Sequence, residues 1–457
     1  MSLFQRIRRS IFRGTLNPQT ETERKRAVIN TLILHIHPPT INEKNLKFTH
    51  TWGLGGMALV MVMIQAVTGV LLKFVYSPFP GRAYESIIIL QNEVLFGQLI
   101  RNIHYWSAIL LIIFTFLHLL RVYFTGAFYH PRQFNWVIGL CLFFLVIFSN
   151  FTGYLLPWDQ LAFWAVTICT SMVAYIPWIG TWLQKMIRGG AEVGPASLSI
   201  FYAFHTVIIP ICIFILMAFH FWRVRKAGGV VIPRSHNQEE KEEREEREKK
   251  YVSTIPNLVV REVVVGLILV AFILVLALLF NAPLGDKANP GLSPNPTKAP
   301  WYFVGIQELL LHFFPLFAVL IIPVFITAAL FLLPYLKYDS TRSGTWFHSV
   351  KGRRMGITAA ATALVLTPTF IIANEFFFDF EAWLPGVPTV ISSGLIPVSI
   401  VLAAVSLLYQ LVKKKYSASK NEAIQALFIL LLTGFIIITI TGMWFRGEGM
   451  ALAWPWK

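Results

Sequence analysis

Nine apolar runs, each long enough to cross a bilayer, leave this chain few folds to adopt. They lie at about 52–76, 102–124, 136–156, 198–222, 259–281, 315–336, 355–374, 388–411 and 424–444. A helix needs about 20 apolar residues to span the hydrocarbon core, and a spanning helix satisfies all its backbone hydrogen bonds within itself. A soluble chain of 457 residues could not hide a composition that is 56% hydrophobic and only 14% charged. The expected fold is therefore an all-α integral membrane protein with about nine transmembrane helices.

The formal charge of +16 would suit a nucleic-acid partner, but the basic residues sit between the apolar runs. That pattern marks cytoplasmic loops and excludes the nucleic-acid class. An odd number of crossings puts the termini on opposite sides. The basic N-terminus, MSLFQRIRRSIFRG, reads as an amphipathic helix on the cytoplasmic face rather than a cleaved signal. The inside loops are then 126–135, 223–258, 337–354 and 412–423, rich in Lys and Arg, while the outside stretch EFFFDFEAWLPGVP carries Glu375, Asp379 and Glu381 and no cation. This is a multi-pass protein of the cell (inner) membrane, in contact with lipid. The alternating charges of 236–251 read as a solvated linker between a four-helix and a five-helix half. The Pro-, Gly- and Asn-rich stretch 281–300 reads as an outside loop. The expected divisions are 1–50 on the cytoplasmic face, a four-helix domain over 51–230, the linker 231–258, a second domain over 259–340 and further spans over 341–457.

Four histidines carry the chemistry. His104 and His118 are fourteen residues apart on the second run, and His205 and His220 fifteen apart on the fourth. At about 100° and 1.5 Å per residue, each pair shares one helix face at two depths about 21–22 Å apart. Packed as an antiparallel pair, the two helices are expected to bring His104 level with His205 and His118 level with His220. Two imidazoles at each level close both axial positions of a haem iron, which suits electron transfer and not oxygen chemistry. Gly55 and Gly69 on the first run, and Gly139 and Gly153 on the third, repeat the fourteen-residue step. Close helix packing is one reading of such glycines; room for two macrocycles in an N-terminal four-helix bundle is the other. Arg101 and Arg121 flank the histidine helix, either to neutralise haem propionates or to snorkel. Cys141, Cys169 and Cys212 lie apart in apolar surroundings, and there is no C-x-x-C-H for a c-type haem.

With LIRNIHYWSA, LHLLRVYFTGAF, FTGYLLPWDQLAFWA, FYAFHTVIIP and HFWRVRKAGG in place, most of the first 340 residues resemble the cytochrome b/b6 family. The fifteen-residue step from His205 to His220 is similar to the b6 branch, whose two halves are separate polypeptides; here they are joined. The resemblance implies a subunit of a quinol:cytochrome c oxidoreductase of the respiratory-chain type. It would hold two non-covalent b-type haems, a low-potential one on His104 and His205 at the outer side and a high-potential one on His118 and His220 at the inner side. Quinol oxidised at the outer side would send one electron to a Rieske iron–sulfur protein and one through the haems to an inner quinone, contributing to proton translocation. A c-type cytochrome subunit and a homodimeric complex are implied as partners.

The resemblance assigns one wall of the outer quinol pocket to Tyr154, Pro157, Trp158, Asp159, Phe163 and Trp164, and the other to Ala299, Pro300, Trp301, Tyr302 and Phe303. Tyr302 would donate to a quinone carbonyl or serve as an interfacial anchor. Where the family usually reads P-E-W-Y, Pro300 stands in place of the glutamate. Glu308, about two turns on, is the nearest candidate to carry a proton, or else pairs structurally with His312. The b6 cysteine that anchors a third haem is replaced by Gly53, so a covalent third haem is not expected. Arg225 and Lys226 either hold propionates or reduced quinone near the inner haem, or anchor the loop. The runs at 388–411 and 424–444 contain no histidine and are expected to be packing helices without chemistry. Two other readings remain at this point: a dihaem b-type anchor of a quinol-linked dehydrogenase or reductase, and a transporter relaying protons through its histidines.

Overall fold

The structure, a computed structural model, describes residues 18–30, 37–234 and 250–455. The expected N-terminal surface helix and most of the charged linker lie outside the described residues. Among those described, nine helices are long and apolar enough to cross a membrane: α1 Leu54–Lys73, α2 Gly97–Phe124, α3 Gln133–Tyr154, α4 Pro195–Lys226, α5 Thr254–Leu279, α6 Phe317–Tyr335, α7 Val350–Phe376, α8 Val390–Tyr416 and α9 Lys420–Trp444. A two-stranded antiparallel ribbon, Thr40–Asn42 against Tyr251–Ser253, clasps the approach to α1 onto the approach to α5.

Helices α1 to α4 form the N-terminal bundle, with α1 along α2, α3 along α4, and α5 against α1 and α2. Its core is built from Met61, Leu111, Ile112, Val146, Ile209, Ile213, Leu269 and Ile273, and Trp301 and Tyr302 pack against it. Lipid is as apolar as these side chains, so close packing holds the bundle together more than exclusion from water does. Shorter helices at Gln160–Met172 and Gly180–Arg188 fill the connection from α3 to α4. Asp159 caps the first of them by accepting from the Ala162 N–H at 2.8 Å.

Three spans carry a π-helical turn, at Phe204–Ile208, Phe317–Ile321 and Val390–Leu395. A proline follows each one, Pro210, Pro323 and Pro397. Proline has no N–H for the carbonyl four residues back and its ring crowds that carbonyl. Widening the preceding turn relieves both problems within the span.

The last two spans are not equivalent. Only 6% of the apolar window of α8 is buried, against 22% for α9. Helix α9 lies along α7 and against the helix Val304–His312. Its first turn is fixed by Asn421, whose amide donates to the Tyr129 hydroxyl at 2.9 Å and to the Ser340 carbonyl at 2.7 Å. Helix α8 thus turns most of its surface outward, while α9 is wedged into the molecule.

Candidate haem and quinol sites

The structure sets His104 against His205 with ring centres 6.1 Å apart, and His118 against His220 at 6.5 Å. One feature of the expectation is corrected. Helices α2 and α4 are two crossings apart, so they run parallel, and only a parallel pair matches first histidine with first and second with second. Two imidazoles on opposite sides of one metal, each with a nitrogen about 2 Å from it, have ring centres roughly 6 Å apart.

Hydrogen bonds fix the tautomer of the first pair. The Thr68 hydroxyl donates to the Ile64 carbonyl at 2.6 Å, so it accepts from His104 Nδ1 at 2.8 Å. His205 Nδ1 lies 2.9 Å from the Ser149 carbonyl, which can only accept. Both rings therefore carry their proton on Nδ1 and keep the Nε2 lone pair for a metal.

Each of the four glycines faces a different histidine. A Cβ on Gly69 would stand 3.3 Å from His104, on Gly153 2.5 Å from His205, on Gly55 3.1 Å from His118 and on Gly139 3.5 Å from His220. The glycines thus clear one side of every imidazole at both depths. A planar, doubly ligated prosthetic group needs that kind of clearance, and ordinary helix contact does not require it to fall on histidines.

Arg101 and Arg121 are both buried and neither snorkels. Arg101 donates to the Ala282 and Pro283 carbonyls at 2.8 and 2.6 Å, tying α2 to the 281–300 loop. Arg121 donates from Nε to the His50 carbonyl at 3.0 Å, and its Nη2 is buried with no partner among the described residues. That unmet donor at the His118/His220 end suits a carboxylate. Lys226 is exposed and lies over the Trp222 ring at 5.8 Å, and Arg225 is half-buried.

At the other end the expected first wall is hydrogen-bonded to the 281–300 loop. Gln160 N–H donates to the Asp286 carbonyl at 2.8 Å, Ala288 N–H to the Trp158 carbonyl at 3.1 Å, and Gly285 N–H to Asp159 Oδ2 at 3.1 Å. Trp164 Nε1 donates to the Asn289 carbonyl at 3.3 Å. Phe303 stands edge-on to Phe151 at 5.3 Å. The Tyr302 hydroxyl is buried without a partner among the described residues. Burial pushes its phenol well above the ordinary value, with the neighbouring Tyr154, Cys169 and Tyr105 adding to the effect. It is thus a fixed O–H donor.

Glu308 is fully buried. Its Oε1 lies 3.2 Å from His312 Nε2, the pairing the sequence suggested. A second partner joins it: Arg446, just past α9, donates to Glu308 from Nη2 at 2.7 Å and from Nε to both oxygens at 3.1 Å. Burial alone would raise the Glu308 carboxyl, but the hydrogen bonds from His312 and Arg446 outweigh it and hold it below the usual range. Arg446 Nη1 also donates to Glu375 Oε2 at 2.8 Å, and Asn374 Oδ1 lies 2.7 Å from His312 Nδ1. An arginine just beyond an apolar run reads as a span terminus, so no sequence signal marks this one.

The family model described as cytochrome b/b6/petB matches residues 42–228. Cytochrome b6 of Heliomicrobium gestii is 42% identical over 192 residues, which is 42% of this chain and 88% of that protein. Cytochrome b6 of Synechococcus elongatus is 43% identical over 175 residues, 38% of this chain and 81% of that one. In fold the chain is similar to a solved hyperthermophilic respiratory complex III chain, with a TM-score of 0.60 at 21% identity, covering 86% of this chain and 91% of that one. The facing histidines, the glycines opposite them and a relative matched over nearly its whole length lead to one conclusion: this multi-pass membrane protein belongs to the cytochrome b/b6 family of electron-transport proteins.

Proposed function

We propose that the chain is the dihaem cytochrome b subunit of a quinol:cytochrome c oxidoreductase, or of an equivalent complex with another acceptor. The observation that carries this reading is the match of four glycines to four histidines at two depths. His104 with His205, and His118 with His220, would hold a haem at each level, which would supply one-electron transfer.

The protein's own residues divide the remaining work. His104 and His205 present Nε2 at the end that carries the 281–300 loop, and His118 and His220 form the second level. Arg121 offers its free guanidinium nitrogen to a propionate at the second level, with Arg225 and Lys226 further out. Trp158, Trp164, Trp301 and Phe303 wall a quinol pocket between the two loop segments and keep water from it. Tyr302 donates its hydroxyl to a quinone carbonyl, and Tyr154 lines the same space. Pro300 leaves the pocket without the usual motif carboxylate, so the Glu308–His312 pair takes up a quinol proton. Its release on this face is the chain's share of proton translocation.

A Rieske iron–sulfur protein and a c-type cytochrome complete the reaction, in a homodimeric complex with the N-terminus cytoplasmic and the loop face outside. The N-terminal four-helix unit holds the haems, and the segments after the linker supply the pocket.

The dithionite-reduced spectrum and extracted haem of the purified chain test this reading. Two non-covalent b-type haems per chain are expected. A chain with no b-type bands, or with a single haem, would sink the two-level assignment.

A further inference from the structure

Just past the last helix, Arg446 reaches two acidic side chains, Glu308 and Glu375. Glu308 and Arg446 have side chains 0% and 1% exposed, while that of Glu375 is 23% exposed. The C-terminal hook is held in register around them: Leu452 N–H donates to Glu375 Oε1 at 3.3 Å, Arg446 Nη1 to the Met450 carbonyl at 3.0 Å, and Gly449 N–H to Asn295 Oδ1 at 2.7 Å. Lys298, from the same loop as Trp301 and Tyr302, donates to the Met443 carbonyl at 2.9 Å. The end of α9 is thus stitched to the segment that carries the pocket wall.

We propose that Arg446 is a positioning residue of the outer quinol site, holding the Glu308 carboxylate ionised and in place so that the Glu308–His312 pair can receive a proton. This rests on the quinol-pocket reading above. The charged and titratable groups around Glu308 are His312 on its own helix, Glu375 on α7, Arg446 after α9 and Lys298 on the loop; Asn374 holds the far side of His312. With Arg446 holding Glu308 charged, His312 keeps an anionic partner 3.2 Å from its Nε2, and the pair keeps a carboxylate that can receive a proton.

The test uses the assembled complex, comparing wild type with Arg446→Gln and Arg446→Lys. Quinol-driven haem reduction is followed against pH, and the protonated-carboxyl C=O stretch is read by infrared difference spectroscopy. Without the guanidinium, buried Glu308 binds its proton more tightly. The acid limb of the rate profile is expected to move at least about one pH unit alkaline in Arg446→Gln, about a tenfold loss on that limb, with recovery at high pH. Arg446→Lys should show a smaller shift of the same sign. A carboxyl band should appear in Arg446→Gln and vanish in Arg446→Gln/Glu308→Gln. An unmoved acid limb, or an equal loss at every pH, makes Arg446 a structural brace and overturns the proposal. If Arg446→Gln fails to accumulate haem, Arg446→Lys decides by the same criterion. Wild-type complex that quinol does not reduce at any pH would instead sink the pocket reading, and the infrared band would still report separately whether Arg446 controls Glu308.

Discussion

Gly153 has no room for a single methyl group, since a Cβ there would stand 2.5 Å from the His205 ring, whereas one on Gly139 would meet His220 at 3.5 Å. Alanine strengthens a helix by about 1 kcal/mol relative to glycine, so any loss must come from the site and not from the helix. Gly153→Ala is expected to lower extracted haem from two per chain to one, and Gly139→Ala to keep both. Thr68→Val removes the acceptor that fixes the His104 tautomer. Changes of this kind cost about 10–100-fold in affinity or activity at metal sites, so easier haem loss at that level and a shifted midpoint potential are expected in a redox titration. The histidines and glycines were legible because both recur at steps of fourteen or fifteen residues. Thr68 and the Ser149 carbonyl were not, since a hydroxyl or a carbonyl carries no pattern until the neighbouring helix is in place.

At the scale of elements, the contact between α9 and the helix Val304–His312 depends on small residues. A Cβ on Gly305 would meet Thr439 Oγ1 at 2.5 Å and Phe435 at 3.0 Å, and one on Gly442 would meet Val304 at 3.1 Å. Overpacking such a contact costs about 1–3 kcal/mol. Gly305→Leu is expected to slow quinol oxidation severalfold while both haems remain, because the haem bundle lies elsewhere; turnover per haem reads this directly. Leu402 on α8 is 60% exposed, and Leu402→Ala should leave that turnover unchanged. The length and apolarity of α8 and α9 were evident in the sequence, but which of them lies inside was not. Both satisfy the same hydropathy condition, and the deciding glycines sit on the partner helix as well as on α9.

For the molecule as a whole, the buried cluster joins the helix Val304–His312 to α7 and the C-terminal end and makes stability depend on acid. The Glu308 carboxyl is held below its ordinary value of 4.5 by His312 and Arg446 acting against burial. The stability it contributes is therefore fully present above that value and is lost as pH falls through the lower folded one. Thermal unfolding of the purified protein should show a Tm that drops below about pH 4.5, and Glu308→Gln should lower Tm at pH 7 and flatten that drop. The sequence by itself determined the nine spans, the two depths of histidine and the glycines that match them, because bilayer thickness and helix pitch turn spacing into position. Only the tertiary structure decided that Arg101 serves a loop while Arg121 keeps a free donor, and that Arg446 reaches Glu308. Those facts depend on contacts between residues far apart in the chain, Arg446 and Glu308 among them, and no local periodicity records which distant carboxylate a buried guanidinium will find.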